Sequence, residues 1–351
     1  MGVTRRQFLE ATGTFAVAVL ATPLGYRVVS AREAKAEAFR PNVWVAVTPD
    51  DRVIATVNKC EMGQGVFTSL PMILADELGA DWKQVRIWKV PAGQQYIDPV
   101  WGMQATGGST SVRHMFEPLR LASAAAREIL IQAAAEEWGV LPSECEAHAG
   151  LVVHGASGRS LRFGHLVDRA AGLAVPEKPS LKPESEFTLI GKPVQRLDLP
   201  KKVQGKADFG IDTHVEGMLY AAVALPPAYG SKADSFDEKA ALAVPGVRKV
   251  VPLGRGVGVC AEGIYAAWRG RDKLGVQWSG GTRPDLDTAA VEKVLRDELS
   301  KEGVQAKKVG DPDQALDAAA KVVEGTYVLP YLAHTTMEPM NCTVDVRRDR
   351  C

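Results

Sequence analysis

Three short runs in this 351-residue chain bring together residue types that can hold a ligand or carry a reaction. The first is Glu61-Met62-Gly63-Gln64-Gly65, which follows an alternating apolar stretch and precedes a run with helical spacing. Two glycines around one amide let the backbone come close to a ligand, a helix N-terminus offers free N–H groups to an anion, and Gln64 supplies both a donor and an acceptor. Taken alone, the run suits a tight strand-to-helix turn with Gln64 in solvent better than it suits a ligand site. It is not a P-loop, because the Lys-Ser/Thr pair is missing.

The second run is Thr106-Gly107-Gly108-Ser109-Thr110-Ser111, again ahead of a helix. Hydroxyls and backbone amides at a helix start form a phosphate cradle that needs no basic residue, and Arg113 could add a charged donor. A Ser-rich loop that caps the following helix is an equal reading. Two anion-ready turns in one half of a chain favour an extended phosphorylated cofactor. The third run is His334-Thr335-Thr336-Met337-Glu338-Pro339-Met340-Asn341-Cys342-Thr343-Val344. His334 and Glu338 stand four apart, but Pro339 and the β-like sequel oppose a helical pair of metal ligands. A loop presenting polar side chains to a pocket is expected instead.

No metal site is expected within the chain itself. Its five cysteines (Cys60, Cys145, Cys260, Cys342, Cys351) are widely spaced, with no C-x-x-C and no four-cysteine run to hold zinc or an iron–sulfur cluster. They are expected mainly as buried thiols. His148, His154 and His165 stand alone and are read as ordinary surface or core residues.

The elements that must position these runs follow from apolar periodicity. Alternating segments at 43–47 and 53–57 flank Pro49-Asp50-Asp51, which predicts a β-hairpin. Phe67, Leu70, Leu74 and Leu78 recur at helical spacing with Gly79 placed to end the helix, and 85–90 reads as a strand. Leu119, Ala122, Ala126, Ile129 and Ala133 mark a long amphipathic helix, which Pro118 must kink or restart. Residues 175–183 have the composition of an interdomain connection. Beyond them, strands at 218–225, 247–251 and 257–260 interleave with helices near 237–243, 264–273 and 291–299. Further strands are expected at 322–328 and 342–346. The fold class is α+β.

Length allows two or three domains, and 46% hydrophobic with 24% charged residues is the composition of a folded protein. The 42 basic residues balance the 42 acidic ones, so there is no electrostatic footprint for nucleic acid and none for an anionic membrane. At the N-terminus, Arg5-Arg6 precede an uncharged stretch at 11–26 and small-residue sites around Ala34, Ala36 and Ala38. This is the layout of a twin-arginine export signal, and it predicts a periplasmic protein delivered by the twin-arginine translocase. The stretch is too short and too interrupted by Gly13, Pro23 and Gly25 to span a membrane.

In order along the chain, Glu61-Met62-Gly63-Gln64-Gly65, the Thr-Gly-Gly-Ser-Thr-Ser run and Met337-Glu338-Pro339-Met340-Asn341-Cys342-Thr343-Val344 resemble the molybdopterin-binding large subunit of the xanthine dehydrogenase/aldehyde oxidase family, nearest to the isoquinoline 1-oxidoreductase beta-subunit type. Residues 205–212, 217–223 and 244–247 resemble that family's α/β hammerhead domain. The resemblance implies a signal at 1–38, a partial molybdopterin-binding domain at 39–174, a linker at 175–193, a hammerhead-like domain at 194–305 and the truncated start of a second molybdopterin-binding segment at 306–351.

It further implies that Gly63, Gln64 and Gly65 contact the pterin, that Gly108, Ser109, Thr110 and Ser111 hold the pterin or its phosphates, and that Glu338 lies near the substrate funnel. The implied cofactor is molybdopterin carrying molybdenum, in its cytosine dinucleotide form, with [2Fe-2S] clusters on a small partner subunit and a cytochrome c as electron acceptor. The implied reaction places a water-derived oxygen on an aldehyde or N-heteroaromatic ring. The family's general-base glutamate is expected beyond Cys351, which predicts a fragment that is inactive alone. A degenerate non-catalytic exported protein of the same fold and a periplasmic anion-binding protein are the rival expectations.

Overall fold

The computed structural model describes residues 15–22, 25–30, 42–90, 92–93, 96–98, 100–281, 283 and 286–351. They divide into two compact units, Met1–Ala207 and Asp208–Cys351, each with a hydrophobic core of its own.

The first unit is built on a five-stranded sheet with strands β1 (Phe15–Thr22), β2 (Gly25–Ser30), β3 (Asn42–Val47), β4 (Val53–Val57) and β5 (Val85–Lys89), in the order β2-β1-β3-β4-β5. The predicted hairpin is β3–β4, closed by a turn in which the Thr48 amide donates to the Arg52 carbonyl at 3.0 Å. β4 and β5 run parallel, from Val53 opposite Val85 to Val57 opposite Lys89. A parallel pair cannot be joined by a tight turn, so the chain crosses over through helix α1 (Val66–Leu78). Val66, Phe67, Leu70, Ile73, Leu74 and Leu78 are buried on it, each contributing roughly 1.5–3 kcal/mol of transfer free energy for the larger side chains.

Gly79 ends α1 at φ 75°, with its amide donating to the carbonyls of Ala75 and Asp76. A Cβ there would lie 2.5 Å from the Ala147 carbonyl oxygen. Gly79→Ala combines left-handed strain with that clash, so it is expected to cost about 2 kcal/mol in urea unfolding. An unchanged midpoint would show that the 79–80 backbone relaxes freely.

Helix α2 (Ser111–Trp138) is one continuous element of 28 residues, running through Pro118 without restarting. Pro118 withholds a donor from the His114 carbonyl, but the residue is buried and packing holds the helix together. The row Ala122, Ala125, Ala126, Ala133 and Ala134 is fully buried in the core, where small side chains let α2 approach α1 closely. Strands β6 (Cys145–His148), β7 (Leu151–His154) and β8 (Arg159–Arg162) form a separate antiparallel sheet in sequence order.

The stretch 175–193 lies within the first unit and is fastened to the end of α1. Asp76 accepts from the amides of Thr188 (3.0 Å), Leu189 (3.2 Å) and Ile190 (2.8 Å) and from the Thr188 hydroxyl (2.9 Å). The Lys182 amide donates to Glu77 at 2.9 Å.

The second unit carries β9 (Tyr220–Ala224), β10 (Ser231–Ser235), helix α3 (Glu238–Leu242), β11 (Val247–Leu253), β12 (Gly256–Ala261), helix α4 (Ile264–Asp272), β13 (Gln277–Gly280) and helix α5 (Thr288–Glu298). One sheet has the order β11-β12-β9, and β10 pairs with β13. Central β12 buries Val257 and Val259 against Ala241, Val250, Ala267 and Leu274. The chain is therefore mixed α+β, as its periodicity predicts.

Two expectations are corrected. The segments 322–328 and 342–346 are not strands but exposed chain without regular secondary structure, because neither finds a neighbouring strand among the described residues to complete a ladder. The cysteines are not buried: Cys60, Cys342 and Cys351 are exposed, since they fall on a turn and on that irregular chain, while Cys145 and Cys260 are half-buried. Part of the uncharged stretch at 11–26 forms β1 and the start of β2, with Phe15 opposite Val47. Its β-branched residues suit a strand as readily as a signal core. Arg5, Arg6, Ala34, Ala36 and Ala38 lie outside the described residues. No helix among the described residues is long and apolar enough to cross a membrane.

Candidate cofactor-binding site

The Glu61–Gly65 turn leaves the C-terminal end of β4 and enters α1, whose N-cap is Gly65 at φ 88°. Its Met62, Gly63 and Gly65 amides are not free, contrary to the expectation for an anion site. One Glu61 carboxylate oxygen accepts from the amides of Gly63 (2.8 Å) and Gly65 (2.9 Å), and the other accepts from Phe67 (3.0 Å). Arg196 donates to the same carboxylate at 3.1 Å and to the Gly63 carbonyl at 2.9 Å, and is itself held by Asp198. Glu61 thus fills the positive end of α1 from within the chain. Burial works to raise its pKa, but the donated amides of Gly65, Phe67 and Gly63 and the charge of Arg196 outweigh that and lower it. Gln64 is exposed, donating to the Cys60 carbonyl at 2.8 Å and accepting from the Met62 amide at 2.6 Å, which leaves one N–H and one lone pair for a ligand.

The second turn is open. Gly108 and Ser109 both sit in the left-handed region, at φ 57° and 53°. Thr110 is the N-cap of α2, yet its hydroxyl donates back to the Gly107 carbonyl at 2.8 Å and caps no amide. The amides of Gly108, Ser109, Ser111 and Val112 have no protein partner among the described residues. A 28-residue helix with an uncapped start and a left-handed turn before it is a donor-lined cradle for an anion. Trp101 borders it: a Cβ on Gly108 would come within 3.1 Å of the indole. Arg113 is exposed on the first turn of α2.

The two turns are brought together at their bases, where the Cys60 amide donates to the Thr106 hydroxyl at 2.8 Å. Beneath this link Lys59 donates to Asp98 at 2.5 Å and to the Ala105 carbonyl at 3.1 Å. Asp98 also accepts from His114 at 3.0 Å, Val100 at 2.9 Å and Trp101 at 3.3 Å. Burial would raise the Asp98 carboxyl, but hydrogen bonds from Lys59, His114 and the Val100 amide outweigh it and hold the pKa at about 2. Glu338 belongs to the other unit, where its carboxylate accepts from the Ile211 amide and from Asn341, both at 3.0 Å.

The Asp98 shift has a sign that can be measured. Its folded value is below the unfolded one, so its contribution is full above pH ~4 and is lost as pH falls toward ~2, about 2 kcal/mol in all. Asp198, held at about 2 first by its hydrogen bond from Arg196, titrates in the same window. Melting curves between pH 5 and 2.5 should therefore slope less steeply for Asp98→Asn than for the parent chain. Equal slopes would mean that Asp98 is not ionised in the fold.

Glu61, Lys59, Asp98, His114 and Arg196 carry the local architecture, and residue spacing gives little sign of their roles. Lys59 alone offers a local signal, a charge placed directly after a buried strand. Among the described residues no three metal-binding side chains converge.

Residues 8–223 match the family described as molybdopterin cofactor-binding domain. The chain belongs to that family, among the xanthine dehydrogenase/aldehyde oxidase proteins that its motifs resemble. It is 32% identical to the isoquinoline 1-oxidoreductase beta subunit of Brevundimonas diminuta, over 99% of this chain and 50% of that protein. It is 34% identical to the membrane-bound aldehyde dehydrogenase [pyrroloquinoline-quinone] of Gluconacetobacter polyoxogenes, over 87% of this chain and 40% of that one. It is 28% identical to a nicotinate dehydrogenase subunit of Pseudomonas putida, over 97% of this chain and 29% of that one. The chain thus spans half or less of the length of these relatives.

Proposed function

We propose that this chain supplies the cofactor-holding portion of an exported molybdenum hydroxylase. The observation that carries the reading is the run of unpartnered amides at Gly108, Ser109, Ser111 and Val112 at the start of α2, in a chain of the molybdopterin-binding family. These residues fit a phosphorylated pterin: the donors are backbone amides, Gly108 takes up the left-handed turn beside Trp101 without a Cβ to press on the indole, and no lysine or arginine is required. Gly63, Gln64 and Gly65 would face the pterin, with Gln64 using the donor and acceptor that its own turn leaves unused. Thr110, buried and bonded to Gly107, would keep the cradle in shape rather than touch the ligand. Glu338 would serve the substrate side.

Held through the pterin by these turns, molybdenum would supply a Lewis-acidic, two-electron redox centre for placing an oxygen from water on an electron-poor carbon. We read the cofactor as the cytosine dinucleotide form, the substrate as an aldehyde or an N-heteroaromatic, and the electron route as a small [2Fe-2S] subunit leading to a cytochrome c. The stretch 194–305 is read as the hammerhead-like domain, its residues 222–274 carrying the core of the second unit while 194–207 fall within the first, and the N-terminal Arg5-Arg6 is read as directing twin-arginine export to the periplasm.

The test is cofactor content. The chain, purified from a host that makes the cofactor, is expected to release a pterin and a cytosine nucleotide on denaturation, with molybdenum in equal amount. Gly108→Val, which puts a β-branched residue into the left-handed backbone and against the Trp101 indole and so distorts the cradle, should lower all three at least tenfold while the chain still melts cooperatively. A chain that carries a simple anion but no pterin would be an anion-binding protein instead.

A further inference from the structure

Lys59 and Asp98 are charged, in contact at 2.5 Å, and 0% and 1% exposed, with His114 closing the cluster at 12%. A buried ion pair is a poor way to gain stability, because desolvation offsets most of the attraction and well-packed apolar residues of similar volume often do as well. The best-attested use of such a pair is to fix one register of the elements it joins. Here the three residues come from three places that share no local sequence, 39 and 16 positions apart. Each sits at the base of a candidate cofactor turn. Lys59 lies two residues before Glu61 and reaches the Ala105 carbonyl, next to Thr106. Asp98 takes the amides of Val100 and Trp101 and so sets the backbone that carries the indole beside Gly108. His114 lies on the first turn of α2, directly after the cradle, and its amide donates to Thr110.

We infer that Lys59, Asp98 and His114 are positioning residues that hold the Gly63–Gly65 turn, the Trp101 loop and the Gly108–Ser111 cradle in one register for the cofactor. The inference rests on the molybdopterin reading above. With the cluster intact, the donors of the second turn and the free valences of Gln64 keep a fixed separation. Without it, each turn can still form by its own local bonds, but among the described residues only the exposed Cys60–Thr106 hydrogen bond still ties one to the other.

The experiment compares pterin retention and melting in the purified chain for Asp98→Asn, His114→Leu, His114→Asn and a control, Asp76→Asn, which damages a separate buried network on α1. An asparagine amide can occupy the place of the His114 Nδ1 donor, whereas leucine cannot. Asp98→Asn and His114→Leu are expected to lose pterin at least tenfold faster during dilution. His114→Asn should stay within about threefold of the parent, and Asp76→Asn should keep its pterin despite a lower melting temperature. The histidine pair decides the matter even if Asp98→Asn does not fold. Retention equal to the parent in His114→Leu, or loss in Asp76→Asn as fast as in the cluster variants, overturns the inference while leaving the cofactor reading in place. A parent chain without pterin overturns the cofactor reading itself.

Discussion

Replacing Glu77 with alanine is expected to cost the first unit about 3–5 kcal/mol, the usual loss when one partner is removed from a buried ion pair. The Glu77 carboxylate is 0% exposed and receives Arg120 Nε at 2.8 Å, Arg127 Nη1 at 2.5 Å and the Lys182 amide at 2.9 Å. Its removal leaves two nearly buried guanidinium groups without a counter-charge. The same arginines donate to the carbonyls of Ser180 and Lys182, so the 180–190 stretch loosens together with the end of α1. In urea the unfolding midpoint should fall steeply, and protease should cut first near Ser180. Glu77→Gln keeps the shape and some acceptor capacity and should lie between alanine and the parent. A midpoint for Glu77→Ala within experimental error of the parent would mean that the arginines are solvated in solution and that the network contributes nothing.

Glu61→Ala is the second large effect, expected at about 2–3 kcal/mol, since hydrogen bonds to a charged group are worth more than neutral ones and three are lost at once. The amides of Gly63, Gly65 and Phe67 lose their acceptor, and Arg196 loses one of its two carboxylates. The effect must depend on pH. The Glu61 pKa is lowered in the fold, so its stabilisation is present above the ordinary glutamate range and disappears as pH falls through the lowered folded value. The parent and Glu61→Ala should therefore differ at pH 7 and converge in acid. A constant difference down to pH 2.5 would assign the loss to packing rather than to charge.

The elements were legible where a local rule was strong. Phe67, Leu70, Leu74 and Leu78 with Gly79 place α1 almost to the residue, because helical spacing and a left-handed terminator are both local. The strand pattern around β11 and β12 is local in the same sense. The segments at 322–328 and 342–346 show the limit of such reading: their composition suits strands, but a strand is completed by a neighbour, and neighbour relations are not written in the segment itself. Pro118 shows the converse, where tertiary burial of α2 overrides a local breaker.

The site divides in the same way. Gly108 and Ser109 could be singled out because glycines and hydroxyls directly ahead of a helix have a local sequence signature, whereas their left-handed backbone shows only in the fold. The occupation of the Gly63–Gly65 amides by Glu61 could not, although Glu61 stands in the same motif, because a carboxylate in that position can equally turn to solvent. Asp98 and His114 are farther still from view, since only the folded backbone brings them to Lys59.

The carboxylate of Glu61 has a consequence for the order of events in the life of the molecule. A loop that waits for its ligand to complete its hydrogen bonds is costly to hold open, whereas this turn is already satisfied by a residue of its own chain. The first turn is thus a finished mould before anything is poured, and the second keeps its donors in water. On the proposed reading, the cofactor would dock onto a turn that is already folded rather than have the chain fold around a guest.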